Sequence, residues 1–221
     1  MSLAEQIEQQ QDDAGWSAHL QLRFVQRDGV TRLGAWKHFG PLLVQRPFYP
    51  EGAPCHVYVL HPPGGIVAGD RLELDIHLEP GSHALLTMPG ASKFYRSIGP
   101  TARLTQRFHM ATGSTLEWLP QDSIFFSGAR ASLASRFTLE PGARLLAWET
   151  LCLGRPVMNE RFDTAPSTAF CTSNCLTRLA CMSACARRRA PGQAGWASAT
   201  RHLLCRTCRS GSTGAGAPAT R

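Results

Sequence analysis

Two side chains with ligand chemistry stand at the mouths of one rigid loop: His61 and Asp70 bracket the prolines and glycines of LHPPGGIVAGD, residues 60–70. An imidazole and a carboxylate suit a divalent transition metal, and an aspartate so placed is equally a hydrogen-bonding turn residue. Pro62 and Pro63 fix φ and remove two backbone donors, while Gly64, Gly65 and Gly69 open backbone angles closed to other residues. The segment is therefore a shaped loop. A phosphate cradle would need the glycine turn to feed a helix N-terminus. Here IVAGDRLELDIHL continues as a strand, so nucleotide binding of that kind is rejected.

Two further stretches carry recognition chemistry. ASKFYRS, residues 91–97, sets the cations Lys93 and Arg96 beside Tyr95, residue types that carry binding energy at protein interfaces; the competing reading is a solvated loop. LEWLPQDSIFFSGAR, residues 116–130, places Glu117, Asp122 and Arg130 amid apolar bulk, with Phe125 and Phe126 adjacent. Neighbouring strand residues point to opposite faces, so one ring is available to a partner unless both faces are buried. For catalysis a nucleophile needs its base, and the body contains no G-x-S-x-G elbow, H-E-x-x-H helix or reactive-cysteine motif. Cys55 and Cys152 read as small core residues. The expectation is a protein that is not an enzyme and holds no tightly bound cofactor.

The elements that must position these groups are strands. From Trp16 to Trp148 apolar and polar residues alternate, as in HLQLRFVQ, HVYVL, RLELDIHLE and SRFTLE, and turn signals recur between them. EPGSHALLTMP, ATGSTLEWLP and EPGARLLAWE each set a glycine turn before an alternating strand, with Gly81, Gly113 and Gly142 separated by 32 and 29 residues. That period suits stacked β-units; three similar turns arising by chance is the other reading. Either way the chain is predicted to be all-β.

Charge divides the chain. Residues 1–163 hold 15 Lys and Arg against 16 Asp and Glu, whereas 164–221 hold 8 Arg and no acid. The formal net charge of +7 thus comes from the end of the chain, so a nucleic-acid reading would rest on that tail alone. The polar, acidic start, MSLAEQIEQQQDDAGW, does not resemble a secretory signal, and no apolar run reaches the roughly 20 residues of a membrane helix. A cytoplasmic protein without structural disulfides, nucleic-acid partner or membrane partner is expected. Three regions follow: a flexible N-terminus (1–15), a β-domain (16–163) and a poorly structured tail (164–221). The tail contains six of the eight cysteines. Cys171-x3-Cys175, Cys181-x3-Cys185 and Cys205-x2-Cys208, with His202 nearby, have spacings from which a tetrahedral zinc site can be built. The tail's composition, empty of Lys, Ile, Val, Tyr and acids, is instead what GC-rich DNA yields in a shifted frame. Accidental cysteines are the favoured reading, and a zinc-binding or nucleic-acid-binding tail is the alternative.

GPLLVQRPFYPEG (40–52), HVYVLHPPGGIVAGDRLELD (56–75), ALLTMPGASKFYRS (84–97), LEWLPQDSIFFSGAR (116–130) and WETLCLGRP (148–156), in this order, closely resemble the urease accessory protein D family, UreD, also called UreH. The resemblance implies an all-β fold of stacked or solenoid-like sheets and a non-catalytic assembly factor. Such factors bind urease apoprotein and recruit the accessory protein UreF, which brings the nickel-carrying GTPase UreG. It also implies passage of transient Ni(II) through an internal channel, for which weak oxygen and imidazole ligands suit a cargo that must be released. His61, Asp70, Glu117, Asp122 and Glu149 are the ligand-capable residues of the matching blocks. Lys93, Tyr95, Arg96, Phe125, Phe126 and Arg130 are the candidate partner contacts. Members of the family continue as β-rich sequence where this chain, after Phe162, changes to the Cys/Arg-rich tail. A frameshift between codons 163 and 170 accounts for that change, and loss of the family's closing strands would leave sheet edges unpaired.

Overall fold

The computed structural model describes residues 15–155, 158, 160 and 162, and the backbone of 168–175 and 198–205. Its elements are fourteen strands among the described residues. These are β1 (Ser17–Arg27), β2 (Val30–Phe39), β3 (Leu43–Val44), β4 (Cys55–Leu60), β5 (Arg71–Leu78), β6 (His83–Thr87), β7 (Ser92–Phe94), β8 (Ala102–Met110), β9 (Thr115–Trp118), β10 (Ser123–Phe125), β11 (Ala131–Leu139), β12 (Arg144–Leu153), β13 (Thr168–Cys175) and β14 (Ser198–Cys205). The alternation read from the sequence is the burial pattern: Leu72, Leu74, Ile76 and Leu78 of β5 are buried, and the residues between them face outward. The fold is all-β, as expected.

The strands form two sheets, one ordered β13-β11-β8-β5-β1-β2 and the other β3-β4-β6-β9-β12-β10-β7, with β14 pairing β12. β5, β8 and β11 are parallel and in register, as are β6, β9 and β12, so successive coils stack into a solenoid. The glycine repeat is the corner of each coil. Ser82, Ser114 and Ala143 each donate a backbone bond to the residue three before it, Glu79, Ala111 and Glu140. Gly81, Gly113 and Gly142 take φ of 72°, 68° and 76° at the position of these turns that demands a positive value. The corners are also bonded to one another, Gly81 N donating to Thr112 O and Gly113 N to Pro141 O. Of the two readings of the repeat, stacked units hold.

Stacking aligns like with like inside. Ile76, Phe108 and Phe137 are register partners, and the Phe108 and Phe137 rings lie parallel at 4.5 Å. Phe108 also meets Trp118 of the facing sheet, with ring centroids 5.2 Å apart. Burial of each such aromatic contributes about 1.5–3 kcal/mol. β1 joins β5 in parallel and turns back into β2 through Asp28 and Gly29, both at positive φ, the two-residue hairpin that an Asp-Gly pair favours.

Two strands come from the tail: β13 pairs the outer edge of β11 in parallel, and β14 pairs β12 antiparallel. The expectation of a flexible N-terminus lies outside the described residues but for Gly15, and the remainder of the tail expectation likewise.

Candidate functional site

The loop that opens the sequence argument consists of two turns and a bridge. Gly64 N donates to His61 O and Asp70 N to Val67 O, closing tight turns with Gly64 and Gly69 at φ 73° and 78°. Between them Ile66 bridges Phe94 in parallel, so the loop is stitched to β7. Gly65 is a glycine because Tyr95 lies against it: a Cβ there would sit 2.0 Å from the ring. Asp70 is buried, and both of its carboxylate oxygens accept backbone amides, Oδ1 from Trp16 N and Oδ2 from Val67 N, each at 2.9 Å. This is the hydrogen-bonding turn role weighed above. His61 lies within the field of Asp70. Burial, the larger influence, pushes its pKa below the ordinary value, and the Asp70 charge partly offsets this.

The other ligand-capable residues are dispersed. Glu117 is on the outward side of β9, where its Oε1 lies 2.8 Å from His83 Nε2. Asp122 is exposed in the approach to β10, its backbone oxygen accepting from Ser92 N. Glu149 points inward from β12 and is buried, as are Gln106 and Ser135 of the facing sheet. The Ser135 hydroxyl donates to Glu149 Oε1 and lies 3.4 Å from Gln106 Oε1. Gln106 and Ser135 are register partners of Leu74, so polar side chains replace leucine on this internal ladder. The result is an oxygen-rich spot with one carboxylate inside a largely apolar sandwich.

The partner-contact candidates divide by face. Phe125 is buried and stacks on Phe94 at 4.5 Å, whereas Phe126 turns the other way and stacks on the 41 % exposed Tyr95 at 4.8 Å. Tyr95, Arg96, Phe126 and Arg130 come together, with Ile98, Arg155 and Glu160, around an open groove of about 770 Å³. Lys93 is half-buried in β7 and is not among its lining residues.

Sequence reading missed two outer clusters of the β1-β5-β8 sheet. His19 Nε2 lies 3.0 Å from Asp75 Oδ2, with Glu73 close by, and Arg107 pairs both acids at 3.3 and 3.5 Å. His77 and His109 stack at 4.6 Å. The second pair was legible, since each histidine stands four residues before its corner glycine, Gly81 or Gly113. The first depended on how β1 registers with β5.

Among the described residues the ring-nitrogen hydrogen bonds of His19 and His83 go to carboxylates, not to a hydroxyl or thiol. Zinc ligation by the tail lies outside what is described: Cys181, Cys185 and Cys208 entirely, and Cys171, Cys175, Cys205 and His202 beyond their backbone.

Fold and site together define a β-solenoid platform, with a cationic, aromatic groove on its surface and a polar spot within. Comparison with known proteins narrows this. The profile of the UreD urease accessory protein family matches residues 17–197. Over 163 residues, 74% of this chain, the sequence is 99% identical to urease accessory protein UreD of Pseudomonas putida and 87% identical to that of Pseudomonas entomophila. Over 149 residues, 67% of the chain, it is 60% identical to UreD of Klebsiella aerogenes. The chain belongs to the UreD urease accessory protein family. Its matches span only 55–59% of the length of these relatives.

Proposed function

We propose that this chain is a urease maturation scaffold: in the cytoplasm it holds urease apoprotein, together with UreF and UreG, while Ni(II) is delivered to the enzyme. The family membership over residues 17–197 carries the reading. The physical features agree with it. A body nearly neutral in charge suits specific docking more than binding to a polyanion. The groove of Tyr95, Arg96, Phe126 and Arg130 offers residue types that dominate interfaces. Glu149, with Ser135 and Gln106, offers oxygen ligands within the sandwich for a metal that is cargo and must leave again. Asp70 serves an amide pair, Glu117 a histidine and Glu149 the Ser135 hydroxyl, so all three carboxylates are engaged in the fold.

The test is complementation of a strain lacking its own UreD, read as urease activity and as copurification with urease apoprotein. Restored activity is expected once the family's closing strands are supplied downstream of Asp163; absence of both readouts with that repaired chain defeats the proposal. The aligned length of 163 residues equals the stretch before the change in composition. Translating the neighbouring frames beyond codon 163 should therefore yield β-rich, UreD-like sequence, and finding none there removes the frameshift account.

A further inference from the structure

We infer that the Tyr95–Arg130 groove is a receptor for a carboxylate-bearing, partly apolar segment of a partner protein. This rests on the docking reading above and adds the chemistry of what docks. The floor is the Tyr95–Phe126 stack, 4.8 Å between rings. Three guanidinium groups surround it. Arg155 sits over the Phe126 ring at 4.9 Å and is ion-paired to Glu160, whose carboxyl the guanidinium holds below its ordinary range. Arg96 runs across Gly128, where a Cβ would approach its Cγ to 3.0 Å. Arg130 lines the same space, and its Nε is out of reach of solvent with no hydrogen-bond partner among the described residues. One carboxylate thus answers three cations among the lining residues, and a buried donor is left unmet. Leaving such a donor unpaired is costly, and a planar guanidinium fork is shaped for a carboxylate.

The apolar part of the ligand follows from the rim. Ile98, 92% exposed at the lip, gains cover only from an occupant large enough to extend beyond the groove. A nucleic acid would want a broad basic field, which residues 1–163 do not have. An acidic peptide segment with an apolar side chain beside its carboxylate meets all of these features.

The probe is a dye-labelled, end-capped peptide of alternating glutamate and leucine, titrated into the full chain by fluorescence anisotropy, against its counterpart with lysine in place of glutamate. The acidic peptide should bind and the basic one should not. Arg130→Gln and Arg96→Gln should each weaken binding about tenfold or more, the usual worth of a charge-assisted bond. Arg136→Gln, on the outer face of β11, should leave binding unchanged. Arg96 is exposed, so its variant stays informative even where Arg130→Gln fails to fold. Equal binding of the two peptides, no binding of either, or retention of full affinity by Arg96→Gln overturns the inference. So does displacement by equimolar inorganic phosphate, which would mark a simple anion site. Copurification of the unaltered chain with urease apoprotein is scored separately: selective peptide binding without copurification sinks the scaffold reading alone, and copurification without selective peptide binding sinks the groove assignment alone.

Discussion

Replacing Asp70 by asparagine exchanges one oxygen for an NH2 group and keeps the shape, which isolates what the carboxylate does. Its two oxygens accept from Val67 N, three residues back, and from Trp16 N, 54 residues back, each at 2.9 Å. Around it, Arg71 N donates to Trp16 O and Arg103 N to Asp70 O, so this one residue ties the entry of β1 to the loop and to the first two coils. Asparagine retains one acceptor oxygen and turns an N–H2 toward the other amide. The change forfeits one charge-assisted hydrogen bond, worth about 1.5–3 kcal/mol, and leaves a buried donor unmet for about 1–3 kcal/mol more. Removing a 6% exposed charge gives part of this back.

The net expectation is a loss of about 2–4 kcal/mol, a large share of the 5–15 kcal/mol that a domain commands. Equilibrium urea unfolding followed by tryptophan fluorescence should show the midpoint falling by about 1–2 M at unchanged slope, given slopes of about 1–3 kcal/mol/M. Trp118, fully buried, is the natural reporter. A midpoint unmoved by the substitution refutes the staple argument and returns Asp70 to the front of the ligand candidates.

Phe108→Ala should cost about 3–5 kcal/mol in the same assay, because the ring is fully buried between Phe137 and Trp118; Trp36→Ala, at a 52% exposed position, should stay within about 0.5 kcal/mol. The pKa of His77 is pushed below its ordinary 6.5, first by burial and then by the neighbouring His109. The unfolded chain therefore takes up the proton first, so this contribution to stability is complete above about pH 6.5 and is lost as pH falls toward the lower folded value. An NMR titration placing folded His77 at or above 6.5 contradicts this; His109→Gln should move it upward. Glu149→Leu removes the acceptor of the buried Ser135 hydroxyl and should cost about 1–3 kcal/mol in the urea assay, an unmoved midpoint contradicting this. Urease activation by the frame-restored protein should fall, and full activation with leucine at this position removes Glu149 from the nickel path.

How far the sequence reveals this molecule depends on whether a feature is set by the backbone or by pairing. The corner turns were legible because a positive φ next to a stacked coil admits little except glycine, so Gly81, Gly113 and Gly142 record their own conformation. From that repeat the internal ladders follow, and with them the His77–His109 stack, which a careful overlay of the coils would have found. The orientation of the glutamates was harder. Glu117 sits between Leu116 and Trp118 in TLEW, a clean alternation that sends it outward. Glu149 belongs to RLLAWETLCL, where Leu146, Trp148 and Cys152 are apolar on the face opposite to Leu145, Ala147 and Leu151. A strand apolar on both sides does not declare its inner face. Only the opposing Gln106 and Ser135, 43 and 14 residues away, show that the carboxylate is inside. The groove was legible in its residues but not in its extent. Sequence adjacency assembled Tyr95 with Arg96, and Phe126 with Arg130, whereas the parallel pairing of β7 with β10 was needed to set the two segments side by side, and that of β10 with β12 to bring Arg155 over Phe126. Chemistry that one turn can hold is written locally, whereas chemistry shared between coils becomes visible only with the register. The buried Glu149 is of the second kind, since its polar neighbours Ser135 and Gln106 are contributed by the facing sheet.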